Sequence, residues 1–323
     1  MSDETNSVKA AVPPSNRLVL GMAGAGLLVV AFFYGVLPIF EAAHGATPFK
    51  WLWQCWQSDK LDYEHGKLIP IAVVLLVWRQ RKRIAAEEAD PKWWGLLILV
   101  AGILLFLASA RTLQPRLSLG AFPFLVLGGA IYAHGVGMAR LLMFPSFLIY
   151  FGIPIPGLIQ ATTGLQVIAT KGAYEIITLA GIDASVAGTN ITSNSYGAWG
   201  FDIAGGCSGV RSLMALTLIA AVYGHLVHKA LWKKVVLFVF SFPLAIVANT
   251  FRVASIIFIA EFIDPEFAGS LYHDYSGFLF FPFGLVGLVM CSKILDFSRH
   301  FGKRVSVVKK VDDEPEGVEV ADG

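Results

Sequence analysis

The chain has 323 residues, of which 56% are apolar and 15% charged, and its mean hydropathy is +0.65. Soluble domains carry about a quarter charged residues, so this composition excludes an ordinary water-soluble fold and describes a chain whose solvent is mostly lipid. A net charge of +2 gives no ground for nucleic-acid binding, and three cysteines are too few for a disulfide framework.

A spanning helix needs about 20 apolar residues to cross roughly 30 Å of hydrocarbon. In chain order the apolar runs predict spans over Leu18–Phe40, Leu68–Trp78, Trp93–Ala110, Leu117–Gly137 and Leu141–Ile155. The second is long enough only if it starts near Tyr63, and the first is too long for a signal-peptide core, so it reads as an uncleaved helix. Leu158–Ile182 has apolar residues at helical spacing with Gln166, Lys171 and Glu175 between them, which predicts an amphipathic helix at the membrane surface. Asp183–Ile203 is rich in turn residues and predicts a short strand or hairpin that includes Trp199 and Phe201. Three further spans follow over Cys207–Leu226, Val235–Phe262 and Tyr275–Leu295. The expected fold class is an all-α integral membrane protein, a polytopic bundle of about eight transmembrane helices with an outer amphipathic segment. It divides into an N-terminal tail (residues 1–17), a transmembrane domain (18–297) and a disordered, charged C-terminal tail (298–323).

Of the 25 Lys and Arg residues, seventeen fall on the side of these eight spans that holds both termini and six on the other, with Arg211 and Arg252 inside spans. The positive-inside rule then makes both termini cytoplasmic in a multi-pass plasma or inner membrane protein. The outer side holds the loop 41–67, the long segment 156–206 and the turn 264–274.

An arginine at the centre of a spanning helix costs about 2.5 to 3.5 kcal/mol, so Arg252 requires a cavity, a partner or a function. Its alternatives at this stage are an interhelical salt bridge and a catalytic cation. Cys207 stands in Gly205-Gly206-Cys207-Ser208-Gly209-Val210-Arg211, where the outer segment becomes a span. Backbone N–H groups at a helix start, with the Arg211 guanidinium four residues on, favour thiolate, which makes a nucleophile. Cys55 and Cys291 read as small buried apolar residues. His65 and His273 share the outer side with Cys207, and His273 begins the last span much as Cys207 begins its own. His225 and His228 read as a satisfied surface pair, and neither a metal nor a cofactor is expected.

The blocks Gly206-Cys207-Ser208-Gly209-Val210-Arg211, Asn249-Thr250-Phe251-Arg252 and His273 with Gly277, preceded by Tyr63-Glu64-His65-Gly66-Lys67-Leu68-Ile69-Pro70, resemble in order the exosortase and archaeosortase family of membrane cysteine transpeptidases. Gly206 stands where that family more often has Ala, and Glu64 where it has Ser. The resemblance implies cleavage of C-terminal sorting signals on exported proteins. Such signals combine a short motif, a transmembrane helix and a basic cluster, and would be presented to an outer-face site from the surrounding membrane lipid. Cys207 would form a thioester that an acceptor resolves, with His273 as general acid and base and Arg252 stabilising the oxyanion or the thiolate. Arg211 and His65 are expected on the substrate side, His65 with a structural alternative. Intramembrane proteolysis uses the same cysteine with water as acceptor. The reading from another class is a polytopic transporter or assembly factor binding an anionic solute through Arg252, Arg211 and Asp202. If its helix ends near Phe262, Arg252 lies about 15 Å below that end, so the site is either recessed or the span stops earlier.

The charge asymmetry makes a direct prediction. Single cysteines at Ser58 and Ser270 react with an impermeant thiol reagent added to intact cells, and one at Ser298 does not; labelling of Ser298 with protection of Ser270 reverses the sidedness.

Overall fold

Breakers and charges in the sequence set where the helices begin and end. The computed structural model describes residues 26, 28–40, 46–58, 61–155, 157–194, 199–202 and 210–312, with the backbone alone over 158–163, at 274 and over 298–312. The chain divides into two units, residues 1–155 and 156–323.

In the first unit a helical stretch ends in a π-turn over Phe32–Val36. Helix α1 (Pro48–Gln57) starts with Thr47 as N-cap, its hydroxyl accepting from the Lys50 N–H at 3.2 Å, and with proline at the first helical position. A 3-10 turn over Glu64–Lys67 leads into α2 (Leu68–Ala86), and α3 (Gly95–Thr112), α4 (Pro115–Ala133) and α5 (Val136–Phe147) follow. A second 3-10 turn, Leu148–Gly152, ends the series. Helices α3 and α4 meet backbone to backbone. A Cβ at Gly128 would overlap the Leu99 backbone, and one at Gly95 would overlap the Tyr132 backbone. Close approach through small residues is how helices associate where lipid removes the hydrophobic drive. Tyr34, 1% exposed, packs among Phe49, Phe106 and Phe122 and donates its hydroxyl to the Ser118 carbonyl at 2.6 Å.

In the second unit, α6 (Leu158–Leu179) precedes a three-stranded antiparallel sheet in the order β1 (Ala184–Ala187), β2 (Asn190–Ser193), β3 (Gly200–Asp202). Ala187 pairs with Asn190 and Asn190 with Asp202; Gly188 opens the two-residue β1–β2 turn at φ +65°, a conformation that hairpin geometry requires and glycine supplies. Helices α7 (Val210–Val227), α8 (Leu231–Phe262) and α9 (His273–Asp312) complete the unit. The buried stripe Gln166, Ala169, Thr170, Ala173 and Ile177 has helical spacing, and α6 lies with Gly172 against Thr250 of α8. The sheet buries Ala184, Ile191 and Trp199 with Val253, Ile256, Ile257 and Ala260 at the far end of α8. At 32 residues α8 is about 48 Å long, well beyond a hydrocarbon thickness of about 30 Å.

Helices α8 and α9 run antiparallel and are fastened twice. Near the start of α8, buried Lys233 donates to the Asp296 carboxylate at 2.6 Å and to the Leu295 carbonyl at 2.7 Å. His228, just past the end of α7, bonds the Ser292 hydroxyl at 2.9 Å. Nineteen positions further along α8, Arg252 reaches the first turn of α9.

The expectations compare with the structure as follows. Five helices among the described residues are long and apolar enough to cross a membrane: α3, α4, α7, α8 and residues 275–297 of α9. The first expected span is only partly described. In α2 the residues Arg79, Arg81, Lys82 and Arg83 cut the apolar run short, and α5 is interrupted after Phe147 by the 3-10 turn. The all-α membrane class stands, with the small sheet as an addition. The final helix is described as far as Asp312, and no proline interrupts it after Pro282. His228 is not a surface residue; it is 4% exposed and belongs to the Lys233–Asp296 cluster.

The adjacent glycines of α4 give opposite expectations. Gly129 has open space at its Cβ position, whereas Gly128 faces the α3 backbone. In detergent thermal unfolding, Gly128→Ala is destabilised by about 1 to 3 kcal/mol by overpacking, while Gly129→Ala is unchanged or gains up to about 1 kcal/mol from helix propensity. Equal melting temperatures for the two variants would contradict the α3–α4 contact.

Candidate active site

Two sequence features bring α8 and α9 together around Arg252. After α8 ends at Phe262, Asp264 caps the turn Pro265–Phe267, its carboxylate accepting from the Phe267 N–H at 2.6 Å. A π-turn over Ala268–Tyr272 then turns the chain back, and Ala268 is buried in the cluster formed by the sheet and α8. Trp199 ties this end together by donating its indole N–H to Glu261 at 2.7 Å. The last helix consequently begins at His273 beside the middle of α8 and not beside its end.

The contacts there are specific. Arg252 Nε donates to Ser276 Oγ at 2.8 Å, and Arg252 Nη2 donates to the His273 carbonyl at 3.1 Å. Ser276, 1% exposed, donates a hydrogen bond from its own hydroxyl to the same His273 carbonyl at 2.9 Å. Ser255 Oγ donates to the Arg252 carbonyl at 2.7 Å and accepts from the Tyr272 hydroxyl at 3.0 Å. Gly277 faces the guanidinium, with room for a Cβ 3.9 Å from Cζ.

Among the described residues, the guanidinium has only neutral hydrogen-bond partners, a hydroxyl and a carbonyl, and no carboxylate pairs with it. Among the described side chains, the contacts that hold it are therefore not those of the interhelical salt bridge that was the plain alternative for an arginine in an apolar helix. An arginine whose charge persists at every accessible pH, held half-buried beside a helix N-terminus, attracts negative charge developing next to it.

The other expected residues are distributed as follows. Cys207 lies in 203–209, outside the described residues, and Val210 is the first described residue of α7. Arg211 is exposed in the first turn of α7. His273 is half-buried at the first position of α9. His65 belongs to the first unit, where it is 5% exposed and its Nε2 bonds the Phe151 carbonyl at 2.9 Å. Burial holds its imidazole below the usual histidine range. Around it Trp56 Nε1 donates to the Gly152 carbonyl at 2.9 Å, the Ile155 N–H donates to the Tyr63 hydroxyl at 3.3 Å, and a Cβ on Gly66 would overlap the Trp56 indole. The Tyr63–Lys67 block therefore latches residues 151–155 in place.

Sequence reasoning missed Ser255, Tyr272 and Ser276. The signal available was spacing: Arg252 and His273 are each followed three residues later by serine, and each serine bonds back to the carbonyl of its partner.

A family model described as transmembrane exosortase (Exosortase_EpsH) matches residues 56–290, a range that runs from the Trp56 latch through Cys207, Arg252 and His273 to the last span. No curated protein and no solved structure matches. With most of its length covered by that family model, the chain belongs to the transmembrane exosortase family.

Proposed function

We propose that the protein is a membrane-embedded cysteine transpeptidase that cleaves C-terminal sorting signals from exported proteins and transfers the remaining protein to an acceptor. The observation that carries this reading is the Arg252 guanidinium, which lacks a carboxylate partner among the described residues and is tied to the turn that begins with His273. The Cys207 thiolate attacks the scissile carbonyl carbon, and the carbonyl π electrons move to oxygen. Arg252 stabilises the resulting oxyanion with charge that is already in position, so little reorganisation is needed as the reaction proceeds. Collapse of the tetrahedral intermediate breaks the C–N bond, the leaving amine takes a proton from His273, and the acyl group remains as a thioester on Cys207. An acceptor nucleophile gives its proton to His273, attacks the thioester and releases the thiolate.

The depth of Arg252 is consistent with a site at the membrane edge. Lys233 and Arg252 are nineteen residues apart on one helix, about 28 Å, close to the thickness of the hydrocarbon core. With Lys233 at the inner edge, Arg252 reaches the outer edge, and the last ten residues of α8 project beyond it under the sheet. A substrate anchored by its own apolar helix meets the site where that helix leaves the lipid. Cys55 is a poor rival nucleophile, since burial pushes its thiol up to about 11.

Two sets of variants test the assignment on an exported reporter with a C-terminal sorting segment. Cys207→Ala abolishes processing while Cys55→Ser and Cys291→Ser keep most of it; processing by Cys207→Ala membranes would falsify the nucleophile. Arg252→Lys accumulates as inserted protein yet is at least about 100-fold slower, because an ammonium retains charge but not the aimed planar donors. Near-normal turnover by Arg252→Lys would return this residue to a structural role.

A further inference from the structure

An arginine has five N–H bonds on a rigid plane, and the edge it uses for one purpose is lost to another. In Arg252 the side edge, formed by Nε–H and the neighbouring Nη2–H, is occupied by Ser276 Oγ and the His273 carbonyl. Those two acceptors belong to one helical turn and are themselves joined, because Ser276 donates its proton to the same carbonyl. The guanidinium is thus clamped at two points on a small rigid ring of three hydrogen bonds. Its terminal edge, Nη1–H with the second Nη2–H, bonds no described residue.

We propose that Ser276 is a positioning residue that holds the Arg252 guanidinium so that its terminal Nη1/Nη2 edge, and not its side edge, meets the oxyanion. This deepens the transpeptidase reading and rests on it. Three observations support it. Ser276 is 1% exposed, so its hydroxyl is committed to these two bonds and is not a solvent-facing group that happens to be near. Its Oγ is the only atom in the ring that both accepts from Arg252 and donates to the backbone, so its removal frees Nε–H and lets the plane rotate about the remaining Nη2 bond. His273 carries the carbonyl on which both bonds converge, so the same serine sets the arginine relative to the residue proposed to move protons. A misplacement of about 1 Å at a catalytic group costs on the order of 100-fold in rate, so a single hydroxyl in this position is worth measuring.

A second hydroxyl contact between the same segments supplies the control. Tyr272 donates to Ser255, which donates to the Arg252 backbone carbonyl, so Tyr272→Phe loosens the same pair of helices without touching the guanidinium. Full-length wild type, Ser276→Ala, Ser276→Thr and Tyr272→Phe are compared in membranes. The substrate is an exported reporter fused to the C-terminal motif, apolar helix and basic cluster of a protein from the same genome, and rates are taken per amount of inserted protein. The expected result is that Ser276→Ala loses about 10- to 100-fold in kcat with KM changed less than about threefold. Ser276→Thr, which keeps an Oγ able to bond both partners, returns to within about threefold of wild type, and Tyr272→Phe loses less than about threefold. Wild-type kcat in Ser276→Ala overturns the proposal while leaving the transpeptidase reading intact. Equal losses in Ser276→Ala and Tyr272→Phe, a slow Ser276→Thr, or a Ser276→Ala protein that fails to accumulate assign the bond to helix packing and overturn it too. If wild type processes no reporter of this kind, it is the transpeptidase reading that falls.

Discussion

A guanidinium charge in the middle of an apolar helix, held by two neutral oxygens, is the constraint around which the second unit is arranged. Such a charge is costly beside lipid, by up to about 2.5 to 3.5 kcal/mol at the bilayer centre, unless its surroundings are polar. Among the described residues, that cost is met with the carbonyl and hydroxyl of one turn. For that turn to lie beside Arg252, the last helix has to begin well before the end of α8. The capped turn at Asp264, the π-turn after it and the sheet that covers the last residues of α8 all serve this geometry. Neutral partners leave the charge available, which a structural ion pair would not.

The same helix pair is fastened at its other end by a different chemistry. Lys233 does have a carboxylate, Asp296, and the buried His228 and Ser292 lie beside it. Pro243 and Pro282 fall between the two fasteners, one on each helix, and each removes a backbone hydrogen bond and invites bending. With polar contacts on both sides of these weak points, the register of α9 against α8 is set at two levels. Among the described residues, Lys233 is paired with a carboxylate at one level and Arg252 is held by neutral oxygens at the other.

In the first unit the block with the family's histidine does a mechanical task. Tyr63, His65 and Trp56 each bond the backbone of residues 151–155, and Gly66 is glycine because the Trp56 indole occupies the space of a side chain. A buried histidine with its Nε2 on a carbonyl and its ionisation suppressed by burial suits a fixed neutral hydrogen bond better than proton transfer. The motif is thus legible as a packing unit in which Tyr63, His65 and Gly66 each fit one contact.

Composition and local pattern determined much of this protein. Apolar runs located the helices that match the five spanning candidates, helical spacing located α6, and turn residues located the sheet. The asymmetric scatter of Lys and Arg, the exceptional Arg252 and the order of the motif blocks were also readable, because each is a property of neighbouring residues or of residue type. What only the tertiary structure decided is where Arg252 spends its hydrogen bonds. Its partners lie 21 and 24 positions away, beyond a reversal of the chain, and no periodicity within either helix reports the level at which the second begins. Tertiary packing likewise turned His228 from an apparent surface residue into part of a buried cluster, since burial depends on which helices come together and a run of sequence carries only its own apolarity. How Arg252 is held is therefore set by long-range packing: which groups face it depends on the level at which the second helix begins, and here they include the Ser276 hydroxyl and the His273 carbonyl.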